Sequence, residues 1–199
     1  MQTLTGKKIG AKRKEQILCF SYGSNMLSSR MKHADRVPSA KLLGIGYITG
    51  YRLTFDKMSK KDGSGKCDAE VTKDEKDRVY GVVYTVETSQ KHKLDSAEGL
   101  GNGYEEKTTD VITTRGQRRA VMYCATSKDP SLKPYHWYKA YVVAGAVEHQ
   151  LPFPYIEWLR TVESIQDPDP ARRAKEERLL TTCQLIRSTR TRAKTARVD

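Results

Sequence analysis

The chain has no apolar run approaching the roughly 20 residues that a membrane-spanning helix needs, so nothing in it reads as a transmembrane segment. It has no C-x-x-C pair: its four cysteines, Cys19, Cys67, Cys124 and Cys183, are scattered. At 199 residues it is also too long to resemble a disulfide scaffold. Reduced thiols in a cytosol are the simplest account, so a cytoplasmic protein is expected. His33, His92, His136 and His149 do not pair at metal-ligand spacing, and no metal site is expected. The G-x-S-x-G elbow is absent and no motif orders a His/Asp pair around Ser24, which argues against a hydrolase triad. The N-terminus is basic, but no apolar segment follows it closely, so a signal peptide is not expected.

What is present is unevenly distributed. The hydrophobic fraction is 37% and the charged fraction 30%, somewhat polar for a compact chain. Residues 1–14 carry five Lys/Arg and no acid, and residues 171–199 carry nine against three. Of the net +12, residues 15–170 therefore hold only about +1. The expected organisation is a basic extension over 1–14, one domain over 15–170, and a basic helix or tail over 171–199. Such ends read either as solvated extensions or as tails that contact polyanions.

Ile17 to Tyr22 reads as a buried first strand, broken by Gly23-Ser24-Asn25. A short helix is expected over 26–32, with Ser24 or Asn25 as its N-cap. Strands are expected over 40–48, 51–55 and 67–72, with a loop over 57–66 and bends or bulges at Gly44, Gly46 and Gly50. Residues 78–86, rich in Val and Tyr, form the clearest strand. Thr88 or Ser89 can cap a helix to about Ala97 that Gly99 stops. Strands over 104–113 and 118–125 follow, then helices over 137–150, 155–164 and 171–182, with the last residues disordered. Strands crowd the middle and helices follow, unlike the alternation of a doubly wound sheet. The fold class expected is α+β, a single domain with a twisted, barrel-like mixed β-sheet flanked by helices.

Two segments carry chemistry. At Tyr22-Gly23-Ser24-Asn25 the chain leaves a strand and enters a helix, where the first N–H groups lack partners. Such a turn can bind a carboxylate or stabilise an oxyanion; it can also be an ordinary capped turn. Glu98 ends a short helix beside unpaired carbonyls. A carboxylate is disfavoured there, which suits a group that accepts a proton and returns it; a frayed last turn is the plainer reading. Gly99-Leu100-Gly101-Asn102-Gly103 follows a helix rather than a strand, so it is not a dinucleotide loop. Tyr104 and Tyr138 read as polar-tipped pocket walls or as half-buried packing. The Tyr135-His136-Trp137-Tyr138 run has few cations around it and reads as packing rather than base stacking.

Phe20-Ser21-Tyr22-Gly23-Ser24-Asn25-Met26 resembles the F-x-Y-G-S-N-[LM] signature of the γ-glutamylcyclotransferase family. Leu94-Asp95-Ser96-Ala97-Glu98-Gly99 resembles its L-D-x-x-E-G segment, and Gly81-Val82-Val83-Tyr84 is similar to the family strand before it. Asn102-Gly103-Tyr104, Tyr138-Lys139, Gly145-Ala146 and Leu151-Pro152 continue the pattern in order, so the resemblance covers roughly residues 16–165. Ser21 departs from it where alanine is common. The likeness is greatest to the branch acting on γ-glutamyl amino acids. The resemblance implies a barrel-like α+β fold, no cofactor, and release of 5-oxoproline from a γ-glutamyl small molecule. It implies Glu98 as catalytic acid/base, Tyr22, Gly23, Ser24 and Asn25 as the substrate cradle flanked by Phe20 and Ser21, and Tyr138, with Tyr104 behind it, on the substrate side. A homodimer and polyanion contacts by the basic ends are left open. The competing readings are a related cyclotransferase that deprotects a γ-glutamylated amine, and a non-enzymatic module that binds nucleic acid or protein through its ends.

Overall fold

A computed structural model describes residues 14–195, with side chains through residue 182. Residues 1–13, most of the basic N-terminal extension, and residues 196–199 lie outside the described residues. The chain runs β1 (Gln16–Ser21), a 3₁₀ turn (Ser24–Met26), α1 (Ser28–Met31), β2 (Lys41–Thr49), β3 (Tyr51–Met58), β4 (Gly65–Val71) and β5 (Arg78–Glu87). A second 3₁₀ turn (Thr88–Gln90) leads into α2 (Lys91–Glu98), then β6 (Tyr104–Thr113), β7 (Gly116–Ala125), α3 (His136–Glu148), α4 (Phe153–Thr161) and α5 (Pro170–Thr195).

Five strands close a barrel in the order β1-β5-β2-β6-β7. Four neighbour pairs are antiparallel, and β1 closes against β7 in parallel at Cys19 and Val121. β3 and β4 form a separate antiparallel pair. The architecture is the expected α+β domain with a barrel-like mixed sheet. β5 lies between β1 and β2, and Val79, Val82, Val83, Tyr84 and Val86 are all buried. Its Val/Tyr-rich sequence therefore reflects a strand covered on both faces.

Several local expectations are corrected. The helix expected over 26–32 is broken at Leu27, whose extended backbone (φ −66°, ψ 117°) separates the 3₁₀ turn from α1. Neither Ser24 nor Asn25 caps it; Gly23 takes the N-cap position without a side-chain bond. Thr88 and Ser89 do not cap α2 either, since they form the 3₁₀ turn ahead of it. The 57–66 loop is shorter than expected, because Lys57 and Met58 extend β3 while Gly65 and Lys66 open β4. At the C-terminal end the helix does not stop near 182 in a disordered tail but runs to Thr195. Its start is well made: Asp169 Oδ1 accepts the N–H groups of Ala171 and Arg172 at 3.0 Å, and Pro170 occupies the first turn.

Two glycines position the site. Gly99 ends α2 in the left-handed region (φ +74°), so the helix stops directly after Glu98. Gly145 lets α3 lie against the Ser24–Met26 turn: a Cβ there would meet Leu27 N at 2.6 Å and Met26 Cβ at 2.7 Å.

Candidate functional site

β1 delivers Phe20 and Ser21 to one end of the barrel, and the chain then turns through Gly23. The turn's hydrogen bonds begin with Met26 N–H to Gly23 O (3.0 Å) and Leu27 N–H to Ser24 O (3.3 Å), which leaves the N–H groups of Gly23, Ser24 and Asn25 ahead of the first turn. Ser24 Oγ accepts from Arg30 Nε at 3.1 Å, which explains why it is not a cap. Asn25 is buried and turns its amide toward α2, where Nδ2 donates to Glu98 Oε1. Asn25 Oδ1 is also buried and has no partner among the described residues. The two distant segments thus meet in one hydrogen bond. Leu94, fully buried, anchors the helix that presents half-buried Glu98.

Tyrosines build the walls. Tyr138 OH accepts the Cys67 N–H at 3.1 Å, and Tyr104 OH donates to the Cys67 carbonyl at 2.7 Å, so both bracket one residue of β4. Tyr22 OH donates to the Tyr123 carbonyl, and Tyr123 OH donates to Asp95 Oδ1 at 2.6 Å. Burial pushes the Tyr22, Tyr104 and Tyr138 hydroxyls well above their ordinary value, so they remain neutral hydrogen-bonding groups. Burial likewise pushes the Cys67 thiol up to about 12, against the hydrogen bond with Tyr138, which leaves it protonated and unsuited to be a nucleophile.

Together these groups line one small cavity. Every site residue expected from sequence reaches it: Phe20, Ser21, Tyr22, Gly23, Ser24, Asn25, Glu98, Tyr104 and Tyr138. Cys67 and Tyr123 line it as well and were not anticipated. Neither sits in a motif; only their inward register on β4 and β7 could have pointed to them. A wider cleft shares Ser24, Glu98, Tyr104 and Tyr138 with this cavity and adds Arg36 and Lys57. Strand periodicity carries a signal for Lys57, which continues the inward face of Leu53 and Phe55 on β3. Among the described residues, no group of three or more His, Cys, Asp or Glu converges as a metal ion would require. None of their helices is long and apolar enough to cross a membrane.

A model of the AIG2-like family matches residues 78–159. A human protein named Gamma-glutamylcyclotransferase is 30% identical over 161 residues, which cover 79% of this chain and 84% of that protein. The chain belongs to the gamma-glutamylcyclotransferase family. A mouse Gamma-glutamylcyclotransferase is 32% identical over 154 residues, covering 75% of this chain and 80% of that one. A solved structure named Gamma-glutamyl cyclotransferase superposes with a TM-score of 0.74 at 26% identity, covering 84% of this chain and 99% of its own. The gamma-glutamylcyclotransferases are enzymes, and in this member the AIG2-like match spans β5, α2 and the Glu98 turn.

Proposed function

We propose that the protein is a γ-glutamylcyclotransferase that releases 5-oxoproline and a free amino acid from γ-glutamyl amino acids, with Glu98 as its acid/base. The observation that carries this reading is the bond from Asn25 to Glu98, which holds a carboxylate beside the turn whose Gly23, Ser24 and Asn25 N–H groups precede its first hydrogen bond. With Oε1 engaged, Glu98 Oε2 is the oxygen that exchanges protons. It takes one from the substrate's α-ammonium, and the freed amine attacks the γ-carbonyl of the same molecule. A new C–N bond closes the five-membered ring while the carbonyl oxygen becomes an oxyanion facing the Gly23–Asn25 turn. Collapse breaks the original amide bond, and Glu98 passes its proton to the departing nitrogen. The ring nitrogen sheds a second proton by the same route, so the leaving amine departs as an ammonium and the protons balance.

The magnitudes suit this scheme. Because nucleophile and carbonyl belong to one molecule, holding the folded conformer can supply about 7–11 kcal/mol. A good oxyanion donor is worth about 3–4 kcal/mol. The scheme calls for no thiol, in keeping with the protonated Cys67. The test is incubation with γ-glutamyl-alanine, other γ-glutamyl amino acids and γ-glutamylamines, with 5-oxoproline as the readout. Absence of 5-oxoproline from the whole panel removes the proposal. Release from the amines alone favours the deprotecting cyclotransferase instead.

A further inference from the structure

The cations of the cleft fall into two sets. Lys66 pairs with Asp62 at 2.8 Å, Arg172 pairs with Asp167 at 2.5 Å, and Arg30 faces Glu176 at 3.8 Å. Lys57 and Arg36 also line the cleft, and neither has a carboxylate in an ion pair among the described residues. Lys57 is only 7% exposed. Its Nζ lies 4.5 Å from the centre of the Tyr104 ring, and a Cβ on Gly103 would stand 3.4 Å from it. The ammonium is therefore fixed beside the segment that joins Glu98 to β6. Arg36 is half-buried in the loop between α1 and β2.

A buried cation without a partner is unfavourable. Burial lowers the proton affinity of both groups, and Glu98 is the leading carboxylate opposing that shift on each. Glu98, however, already accepts from Asn25, and in the proposed reaction it becomes neutral when it takes the substrate's proton. At that moment Lys57 and Arg36 lose the negative charge that most favours their charged forms. The remaining acids at the cleft replace it only in part: Asp62 also favours charged Lys57 and Glu176 charged Arg36, but each is engaged as well by a second cation, Lys66 at 2.8 Å and Arg30 at 3.8 Å, and Asp35 is an exposed group near His33 at 3.4 Å.

In the cyclotransferase reading the γ-glutamyl half is held at Glu98, and the leaving half extends into the cleft, which shares Ser24, Glu98, Tyr104 and Tyr138 with the cavity. There it meets Lys57 and Arg36, which form no ion pair among the described residues and, unlike Lys60, Lys61 and Lys175, are not exposed. We propose that Lys57 and Arg36 form a leaving-group subsite for two carboxylates, making γ-glutamyl conjugates of a dicarboxylic amino acid the preferred donors. This rests on the cyclotransferase reading above. An amino acid with one carboxylate satisfies one cation, whereas a dicarboxylic one satisfies both. Exposed Lys60, Lys61 and Lys175 on the same cleft add a field of the same sign that attracts such a substrate.

The experiment compares γ-glutamyl-glutamate with γ-glutamyl-glutamine, which have nearly the same shape and differ by one charge. Wild-type protein is expected to favour the glutamate conjugate in kcat/KM by about 10-fold or more. Lys57→Gln and Arg36→Gln are each expected to bring that ratio below about 3-fold, and Lys57→Arg to keep it. A merely structural role would depress both donors together and leave the ratio unchanged. A wild-type ratio near one overturns the inference, as does a preference that survives both glutamine variants. Release of 5-oxoproline from both donors at equal rates sinks the subsite alone. No release from these donors or from γ-glutamyl-alanine removes the cyclotransferase reading, and the subsite with it.

Discussion

Asn25 and Glu98 lie 73 residues apart, and the Asn25 amide donates to the Glu98 carboxylate inside the cavity. One residue comes from the turn after β1 and the other from the last position of α2. The bond therefore couples the backbone turn to the carboxylate proposed to carry the proton, and the two cannot be misplaced independently. The packing of α3 on the turn and the left-handed Gly99 hold its two ends.

Replacing Glu98 by Gln keeps the shape and the partner for Asn25 but removes the basic oxygen. Under the proposed mechanism kcat falls by about 10²–10⁴-fold with little change in KM. Circular dichroism and thermal unfolding are expected to show that the fold persists. Retention of full 5-oxoproline release would exclude Glu98 from proton transfer.

Asn25→Ala removes one hydrogen bond to a carboxylate, worth about 1.5–3 kcal/mol. If that bond positions Glu98 for the transition state, kcat falls about 10–100-fold and KM moves far less. A variant that raises KM alone would show instead that Asn25 serves substrate binding.

Much of this was legible in the sequence, for identifiable reasons. The Val/Tyr run of β5 and the turn at Gly23 are local signals, and local signals survive folding. Gly99 marked the helix end at Glu98, but only the resemblance of Leu94–Gly99 to the family segment pointed to a role for that carboxylate. Capping at Ser24 or Asn25 was not, because both side chains are drawn to tertiary partners, Arg30 and Glu98. Lys57 was hidden for a related reason: a polar, glycine-bearing stretch reads as loop, although the strand alternation of Leu53 and Phe55 carries the lysine inward. Cys67 and Tyr123 enter the cavity through the pairing of strands distant in sequence, which no local pattern records. The long α5 was underestimated because its polar composition resembles a solvated tail.

Gly145 offers a test of the packing that holds the turn. A Cβ at this position would stand 2.6 Å from Leu27 N and 2.7 Å from Met26 Cβ, and the first of these is backbone that cannot rotate away. Gly145→Val is expected to destabilise the protein by about 1–3 kcal/mol, read as a lower urea midpoint at unchanged slope. It should also reduce activity in protein that remains folded, because the displaced turn carries Asn25. A stable and fully active variant would show that α3 does not hold the turn.

Asp167 links the C-terminal helix to the same wall. Its carboxylate is fully buried and accepts from Arg172 at 2.5 and 2.7 Å and from Trp137 Nε1 at 2.8 Å, next to the pocket residue Tyr138. The Arg172 hydrogen bonds, aided by Trp137 and opposed by burial, lower its pKa from 3.8 to about 2. A carboxylate with a depressed folded-state pKa stabilises the native state above its unfolded value, and that stability is lost as pH falls through the folded value. The shift corresponds to about 2 kcal/mol at neutral pH. Asp167→Asn is therefore expected to unfold more easily than wild type at pH 7 by about this amount, with the gap closing as pH falls from about 5 toward 2. Thermal unfolding of both proteins across that range measures it. A gap independent of pH would mean that the ion pair with Arg172 does not carry the stability, and that the indole contact of Trp137 holds α5 to α3 instead.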